Sequence, residues 1–371
     1  MPFCFHKCHY CDFYSIVDSQ DRQGAFTDRL IRELVALAPL AGAPLDTIFV
    51  GGGTPTLLAP EHWARLLKAL RDHVDLGNAE FTVECNPETA SDDLFAVLVD
   101  GGVNRISIGA QSFDRRHLST LERWHDPDRV PEALDLAARH GIACRSIDLI
   151  FAIPGQTLED FDTDLRRALD LPITHLSAYA LTYEPNTAMT ARLARGEFER
   201  ADEDLEADMY EHLVRTVRAK GFERYEVSNF ALQGEACRHN LAYWRQANWL
   251  ALGPSASGHL NGWRWTNAPR LGDYLRVDDR GYAPVTVVEA PDPTRARRER
   301  LMTGLRLAEG IPSSLLDDAW IDRDAGARVL EAHRARGWID PDHLRLTDAG
   351  MLFADGIASD LMGVVRDQPA L

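Results

Sequence analysis

The chain has 371 residues, 45% of them hydrophobic and 26% charged, so it is long enough for one large domain and a smaller one. Its net charge of −17 argues against a nucleic-acid-binding surface, because phosphate contacts need clustered Lys and Arg side chains. We recognise no signal peptide and no apolar run of transmembrane length, and therefore expect a cytoplasmic protein whose six cysteines stay reduced.

The first motif along the chain is a dense cysteine loop, in which Cys4, Cys8 and Cys11 fall within eight residues. Three thiolates can hold three irons of a cubane cluster and leave the last iron open to a small molecule. A zinc site with His6 or His9 as a further ligand would also explain the spacing, and so would helical packing of ordinary buried cysteines. A disulfide is disfavoured, because three neighbouring cysteines cannot all pair.

Between residues 25 and 180, short runs rich in β-branched residues alternate with longer amphipathic stretches. We expect helices at Gly24–Ala38, Pro60–His73, Ser91–Val99, Arg115–Leu121, Asp128–His140 and Leu158–Leu171, and strands at Thr47–Val50, Phe81–Glu84, Arg105–Ile108, Ser146–Ile150 and His175–Ala180. Strands and helices that alternate in this way predict an α/β fold with a parallel sheet and right-handed crossovers.

Polar residues and glycines follow the cores of these strands. They are Gly51–Thr54, Glu84, Gln111, Asp148 and Thr182. Because the loops at the carboxyl ends of the strands build the active site of a parallel barrel, this pattern favours a partial (β/α)6 TIM-like barrel over a doubly wound sheet. If the cysteine loop also follows a strand, that strand is missing from this sequence. We hypothesise that it is encoded upstream of Met1.

The pattern changes after residue 200. Asp202–Lys220 is predicted to be a helix, whose acidic start and basic end suit the helix dipole. An aromatic-rich stretch follows, with tryptophans at Trp244, Trp249, Trp263 and Trp265. We interpret Pro284–Pro293 as a linker and Arg295–Leu371 as a small, mostly helical domain that could be winged-helix-like.

This pattern divides the chain into a barrel (1–230), an aromatic-rich connecting segment (231–290) and a C-terminal helical domain (291–371). The C-terminal domain is slightly acidic, which favours packing or partner recognition over DNA binding.

Together, the ordered motifs resemble those of the radical S-adenosylmethionine superfamily, whose signature is Cys-x3-Cys-x2-Cys with an aromatic residue, here Tyr10, before the last cysteine. Over nearly its whole length the chain is similar to the branch that contains oxygen-independent coproporphyrinogen III dehydrogenase and the HemW-type heme chaperones. The segments that match are Gly51–Thr56, Val103–Phe113, Ile147–Phe151, Pro154–Thr157, Tyr225–Phe230 and His239–Trp244.

The resemblance implies that Cys4, Cys8 and Cys11 hold a [4Fe–4S] cluster whose open iron is chelated by S-adenosylmethionine. It also implies a set of contacts to S-adenosylmethionine, at Gly52, Gly53, Thr54, Glu84, Gln111, Arg123, Asp148 and Thr182, with Leu252 as a looser match. The cofactors bring the chemistry in such proteins, and the chain binds and orients them. A tight turn for the glycines and an ion-pair network for the charged residues are the alternatives.

Two features separate the chaperones from the dehydrogenase. The dehydrogenase carries a further cysteine two residues after the third, where this sequence has Phe13, and a long N-terminal segment that we do not find here. The motif formed by His239, Asn240, Tyr243 and Trp244 matches one associated with heme in the chaperone branch. Imidazole is a good axial ligand of heme iron, and aromatic rings offer flat contact to a porphyrin. Packing between domains is the alternative role of these residues.

The resemblance therefore implies a chaperone that binds heme and delivers it to hemoproteins, which could be respiratory and membrane-associated. The cluster and S-adenosylmethionine would regulate this transfer. The alternatives are oxidative decarboxylation of coproporphyrinogen III and another radical reaction on the same scaffold. We expect no nucleic-acid partner, and a homodimer stays open.

Overall fold

The computed structural model of the chain describes residues 1–276, 280–317 and 319–367. Residues 318 and 368–371 of the predicted C-terminal domain lie outside the described residues. The helices are α1 (Gln23–Leu37), α2 (Pro60–His73), α3 (Asp92–Asp100), α4 (Arg115–Thr120), α5 (Arg129–Arg139), α6 (Leu158–Leu169), α7 (Ala188–Ala194), α8 (Glu203–Ala219), α9 (Arg238–Trp244), α10 (Leu271–Leu275), α11 (Pro293–Gly304), α12 (Arg323–Ala335), α13 (Asp348–Met351) and α14 (Ala354–Gly363). The strands are β1 (Thr47–Val50), β2 (Glu80–Cys85), β3 (Arg105–Gln111), β4 (Cys144–Phe151), β5 (His175–Ala180), β6 (Glu223–Glu226), β7 (Asn229–Ala231), β8 (Ser257–Leu260), β9 (Trp263–Asn267) and β10 (Val285–Glu289).

The larger sheet is a half-barrel. Strands β1 to β5 pair in chain order and all in parallel, while helices connect them. The hairpin of β6 and β7 then closes the sheet through an antiparallel pairing of β7 with β5. The predicted partial barrel is confirmed, and the predicted bounds of β1, β5 and α2 agree with the structure at both ends.

The two faces of the half-barrel differ in polarity, because successive side chains of a strand point to opposite faces. On the outer face, Ile106 and Ile108 of β3 and Ile147 of β4 are fully buried in the core, which includes residues of the surrounding helices. On the concave face, Ser107 of β3 donates a hydrogen bond of 2.9 Å to Asp148 of β4. The core therefore lies between sheet and helices, and the concave face is left for polar groups.

Local sequence signals explain where the helices of the half-barrel begin. Helix α2 has proline at its first position, where the missing N–H is not needed. Helix α6 begins with a capping box, in which Thr157 and Asp160 exchange side-chain and backbone hydrogen bonds of 3.0 and 3.1 Å. Helix α5 buries Val130, Ala133 and Ala137, which lie on one face at helical spacing.

A second, three-stranded antiparallel sheet has the order β10-β9-β8. The prediction of a linker at Pro284–Pro293 is wrong, since Val285–Glu289 forms β10 and pairs with β9. Prolines at both ends of this segment suggested a linker, but the β-branched residues between them favour a strand. Among the described residues, no helix is long and apolar enough to cross a bilayer.

Candidate functional site

The cysteine loop forms one wall of a cleft at the carboxyl ends of the strands. The cleft has about 450 Å³ of empty space, which includes open solvent, and its lining contains Cys4, Cys8 and Cys11. Each of these cysteines is partly buried and free of a disulfide. Burial raises the pKa of the Cys11 thiol to about 11. Three unpaired thiols that face one cleft are a donor set suited to a metal cluster.

A second wall of the cleft is the glycine loop after β1. The backbone N–H of Gly53 donates to the carbonyl of Met1 at 2.6 Å, and that of Thr54 donates to the carbonyl of Phe3 at 2.7 Å. A Cβ atom on Gly53 would lie only 2.7 Å from the Phe3 carbonyl oxygen, and Gly52 has a φ of +107°. Glycine is therefore needed here, because the loop approaches the backbone before the cysteine loop so closely.

Thr54 and Arg123 both contact the cysteine loop. The Oγ1 atom of Thr54 lies 3.4 Å from Cys4 Sγ, and a guanidinium nitrogen of Arg123 lies 3.7 Å from Cys8 Sγ. A second nitrogen of Arg123 donates to the carbonyl of Gly109 at 2.9 Å. Burial would lower the pKa of Arg123, but the neighbouring Tyr10 and Cys8 hold this pKa above its usual range. Arg123 thus places a permanent positive charge beside the thiols.

Two carboxyl groups lie on the concave face near this cleft. Glu84 of β2 accepts a hydrogen bond of 3.2 Å from the backbone of Gly52. Burial, and then the charge of Asp148, raises the pKa of Glu84 to about 7. Burial likewise raises the pKa of Asp148 to about 6, although hydrogen bonds from Ser107 and Ser177 oppose the shift. Both groups can change protonation near neutral pH, which suits acceptors that meet a polar ligand.

Three predicted contacts to S-adenosylmethionine remain, at Gln111, Thr182 and Leu252. Gln111 ends β3 with a φ of +64° and lies 3.4 Å from the hydroxyl of Tyr179. Thr182 follows β5 with an exposed side chain, and it is not among the described residues that line the cleft. Leu252 packs against the core as a partly buried side chain. The structure therefore brings the cysteines, the glycine loop and Arg123 together at the cleft, whereas Gln111, Thr182 and Leu252 do not line it.

The histidine motif lies on α9, away from the cleft. The side chain of His239 is nearly buried, with 9% of the residue exposed. Its Nδ1 atom lies 2.8 Å from Thr47 Oγ1, whereas its Nε2 atom is buried and has no hydrogen-bond partner among the described residues. The ring stacks on Phe49 at 5.0 Å and meets the edge of Tyr243 at 4.6 Å. Burial lowers the pKa of His239 to about 4, so the imidazole is neutral at physiological pH.

Asn240 and Trp244, the other members of this motif, point to different neighbours. Asn240 donates a hydrogen bond of 3.2 Å to the hydroxyl of Tyr225. The same hydroxyl lies 2.8 Å from His175 Nε2, and His175 Nδ1 lies 2.7 Å from Ser146. Trp244 instead lies under the guanidinium of Arg306, which is 5.8 Å from its ring centre. Asn240 thus extends the motif into a polar chain inside the half-barrel.

The two candidate sites lie at opposite ends of β1. Thr47, the first residue of this strand, contacts His239, and Gly51 directly follows its last residue. Strand β2 has the same arrangement, because Glu80 at its start binds the backbone of α9 and Glu84 near its end binds the glycine loop. We did not predict Thr47 or Glu80 as site residues from the sequence. The four-residue spacing of Glu80 and Glu84 was a usable signal, since it places both carboxylates on one face of a strand.

Comparison with known proteins agrees with this fold and cysteine loop. Residues 1–168 match the family model of the radical SAM superfamily. The chain also resembles the solved structure of coproporphyrinogen III oxidase (HemN) from Escherichia coli, with a TM-score of 0.83 at 24% identity over 97% of this chain and 88% of that one. At this identity the likeness shows the fold alone. Residues 1–168 therefore form a radical SAM domain.

Curated relatives narrow the class further. The chain is 37% identical to the heme chaperone HemW of Mycobacterium tuberculosis (strain H37Rv), over 98% of this chain and 93% of that protein. It is 33% identical to the heme chaperone HemW of Escherichia coli (strain K12), over 96% of this chain and 95% of that protein. The chain belongs to the HemW family of radical SAM proteins.

Membership of this superfamily brings a [4Fe–4S] cluster and S-adenosylmethionine as cofactors. The residues that line the cleft fit these cofactors. The cleft offers three free thiols for iron, a glycine loop with no side chain in the way, and the charged Arg123 beside Cys8.

Proposed function

We propose that this protein is a heme chaperone, which binds heme through His239 and delivers it to hemoproteins. Cys4, Cys8 and Cys11 ligate the [4Fe–4S] cluster, and S-adenosylmethionine occupies the cleft between them and the glycine loop. When bound, these cofactors supply one-electron chemistry. The alternative function is oxidative decarboxylation of coproporphyrinogen III. Phe13 argues against it, because the dehydrogenase branch has a further cysteine at this position.

The observation that carries the proposal is the state of the His239 ring. Its Nε2 atom is buried without a hydrogen-bond partner among the described residues, and an unsatisfied buried nitrogen costs free energy unless a ligand uses it. The depressed pKa keeps the ring neutral, which is the form that ligates iron. Phe49 and Tyr243 beside the ring, the second of them 43% exposed, offer aromatic surface to a porphyrin.

On the cofactor side, each wall of the cleft has its own task. Gly52, Gly53 and Thr54 approach the methionyl end of S-adenosylmethionine with backbone groups, because no side chain blocks two of these positions. Arg123 pairs with the methionyl carboxylate, and it is held in place by the Gly109 carbonyl. The rest of S-adenosylmethionine exchanges hydrogen bonds with the polar side chains that follow the strand cores, which are Glu84, Gln111, Asp148 and Thr182.

We also propose that the protein acts in the cytoplasm and that its recipients include respiratory, membrane-associated hemoproteins. A homodimer whose formation follows cluster occupancy is part of the same proposal. Size-exclusion chromatography of the cluster-loaded and the cluster-free protein would test the dimer, and transfer of heme to a heme-free cytochrome would test delivery.

The main experiment compares the two functions directly. The protein is reconstituted with iron and sulfide under anaerobic conditions, and heme binding and conversion of coproporphyrinogen III are then measured side by side. We expect stoichiometric heme binding without turnover to protoporphyrinogen IX. His239→Ala should weaken heme binding, while His73→Ala, which changes an exposed histidine at the end of α2, should bind heme like the parent.

Two results would overturn the proposal. Sustained formation of protoporphyrinogen IX would make the protein an enzyme of the dehydrogenase type. Heme binding in His239→Ala as tight as in the parent would remove His239 as the ligand, even if the protein still carried heme.

A further inference from the structure

The first residue of β1 determines how the His239 ring is held. We propose that Thr47 is a positioning residue for the heme ligand, which fixes the tautomer of His239 and directs its Nε2 atom to the iron. This inference rests on the proposed function and deepens it, because it names a residue outside the histidine motif that controls heme affinity. Thr47 and His239 are 192 residues apart in the sequence, so the motif alone does not reveal the relationship.

Only one of the two ring nitrogens of His239 can ligate iron. A neutral imidazole carries one proton, and the nitrogen that bears it cannot ligate iron. Thr47 Oγ1 lies 2.8 Å from Nδ1, while Nε2 has no partner in the described part of the chain. With the proton on Nδ1, the ring donates to the Thr47 hydroxyl and presents the lone pair of Nε2. Ligating histidines usually make such a hydrogen bond with their other nitrogen, and it sets both tautomer and basicity.

The neighbouring rings fix the plane of the imidazole but not its orientation within that plane. Phe49 is nearly parallel to the ring, with an interplanar angle of 20°, and Tyr243 meets it at 76°. Either contact would persist if the ring turned over and exchanged its nitrogen and carbon positions. The hydrogen bond from Nδ1 to Thr47 is the contact that distinguishes the two orientations.

The backbone of His239 is held by the strand next to Thr47. Glu80 accepts hydrogen bonds from the N–H groups of Arg238 at 2.9 Å and His239 at 3.0 Å. Glu80 is itself buried, and Arg105 lies 3.6 Å away as its counter-charge. Thr47 and Glu80 are paired positions of the parallel β1 and β2 strands. One pair of facing strand residues therefore holds both the backbone and the ring of the proposed ligand.

The test removes the hydroxyl of Thr47 without changing the shape of the side chain. In Thr47→Val we expect heme affinity to fall roughly 10-fold or more, the range usual for partners of ligating histidines. The midpoint potential of bound heme should rise, because an imidazole without an acceptor on Nδ1 is a weaker donor. Thr47→Ser keeps the hydroxyl and should restore both values. Thr82→Val is the matched control, since Thr82 is buried on β2 and its hydroxyl has no partner among the described residues.

The outcomes separate this inference from the proposed function. If Thr47→Val and Thr82→Val bind heme with the affinity and potential of the parent while His239→Ala does not, Thr47 is not a positioning residue but the heme ligand stands. If Thr47→Ser fails to restore the parent values, the role of Thr47 is packing and the inference is wrong. If His239→Ala binds heme like the parent, the role of Thr47 and the assignment of His239 as the heme ligand are both wrong. Thr47→Ala replaces Thr47→Val should the valine variant not fold, as judged by its thermal unfolding.

Discussion

Thr47 Oγ1 and His239 Nδ1 lie 2.8 Å apart and join the start of the half-barrel sheet to the histidine motif on α9. Three residues of β1 and its following loop thereby connect two candidate sites. Phe49 stacks on His239, and a Cβ atom on Gly51 would lie 2.8 Å from the Phe49 ring. The strand that presents the glycine loop at one end therefore supports the proposed heme ligand at the other. Packed side chains therefore link the glycine loop to His239 over the length of one short strand.

The first prediction concerns the cluster. Cys8→Ala should lose nearly all iron and sulfide after anaerobic reconstitution, because two thiolates cannot hold a cubane cluster against exchange. Iron analysis and visible absorbance measure the loss. Cys144→Ala is the control, since this thiol lies outside the cleft and hydrogen-bonds to Glu235 at 2.9 Å. Full iron content in Cys8→Ala would contradict the assignment of the three ligands.

A second prediction tests the close approach of the glycine loop. In Gly53→Ala the new methyl group would lie 2.7 Å from the Phe3 carbonyl, so the loop or the cysteine segment must move. We expect a loss of about 1–3 kcal/mol in the free energy of unfolding and weaker S-adenosylmethionine binding, measured by urea unfolding and calorimetry.

The control for this prediction is Gly356→Ala on α14, where a Cβ atom meets nothing within 4 Å. It should stabilise the protein by about 0.5–1 kcal/mol, because alanine favours a helix over glycine. Equal stability and affinity in Gly53→Ala and the parent would show that the loop is not tightly held.

The third prediction is a pH dependence. The pKa of Glu84 is raised to about 7 in the fold, so this carboxyl binds more protons in the native state than in the unfolded state between about pH 4.5 and 7. The contribution of Glu84 to the free energy of unfolding of the cofactor-free protein should therefore fall as pH rises through this window. Glu84→Gln should remove this falling contribution and stabilise the protein at pH 8 by about 1 kcal/mol.

Urea unfolding across this pH range measures the effect. Glu61→Gln, on the exposed first turn of α2, should keep the slope of the parent. A steeper decline in Glu84→Gln than in the parent would show that the Glu84 carboxylate is stabilised rather than penalised in the fold.

The fourth prediction concerns the polar chain inside the half-barrel. Tyr225→Phe removes the hydroxyl that lies between His175 Nε2 and Asn240. Because His175 is buried, its ring nitrogen is left unsatisfied, which costs about 1–3 kcal/mol in the free energy of unfolding. Tyr282→Phe, which changes an exposed tyrosine, should stay within about 0.5 kcal/mol of the parent. Similar stability of Tyr225→Phe and Tyr282→Phe would show that this chain of hydrogen bonds contributes little to the free energy of unfolding.

The regular part of the fold could be predicted from the sequence because its signals are local. Proline at the first position of α2 and the apolar face of α5 depend only on neighbouring residues. The linker predicted at Pro284–Pro293 was wrong because the pairing of β10 with β9 is a contact between separate segments. The β-branched residues of this five-residue strand are a local signal, but its flanking prolines suggested the opposite.

The candidate sites, too, could be predicted from the sequence only where their signals are local. The sequence by itself determined the cysteine spacing, the glycine loop and the histidine motif, since each is a short run whose chemistry lies in its own residues. Only the tertiary structure decided that Arg123 lies beside Cys8 and that Thr47 and Glu80 hold His239. These contacts join residues far apart in the chain. Thr47 and Glu80 reach the same histidine because parallel pairing sets the first residues of β1 and β2 side by side.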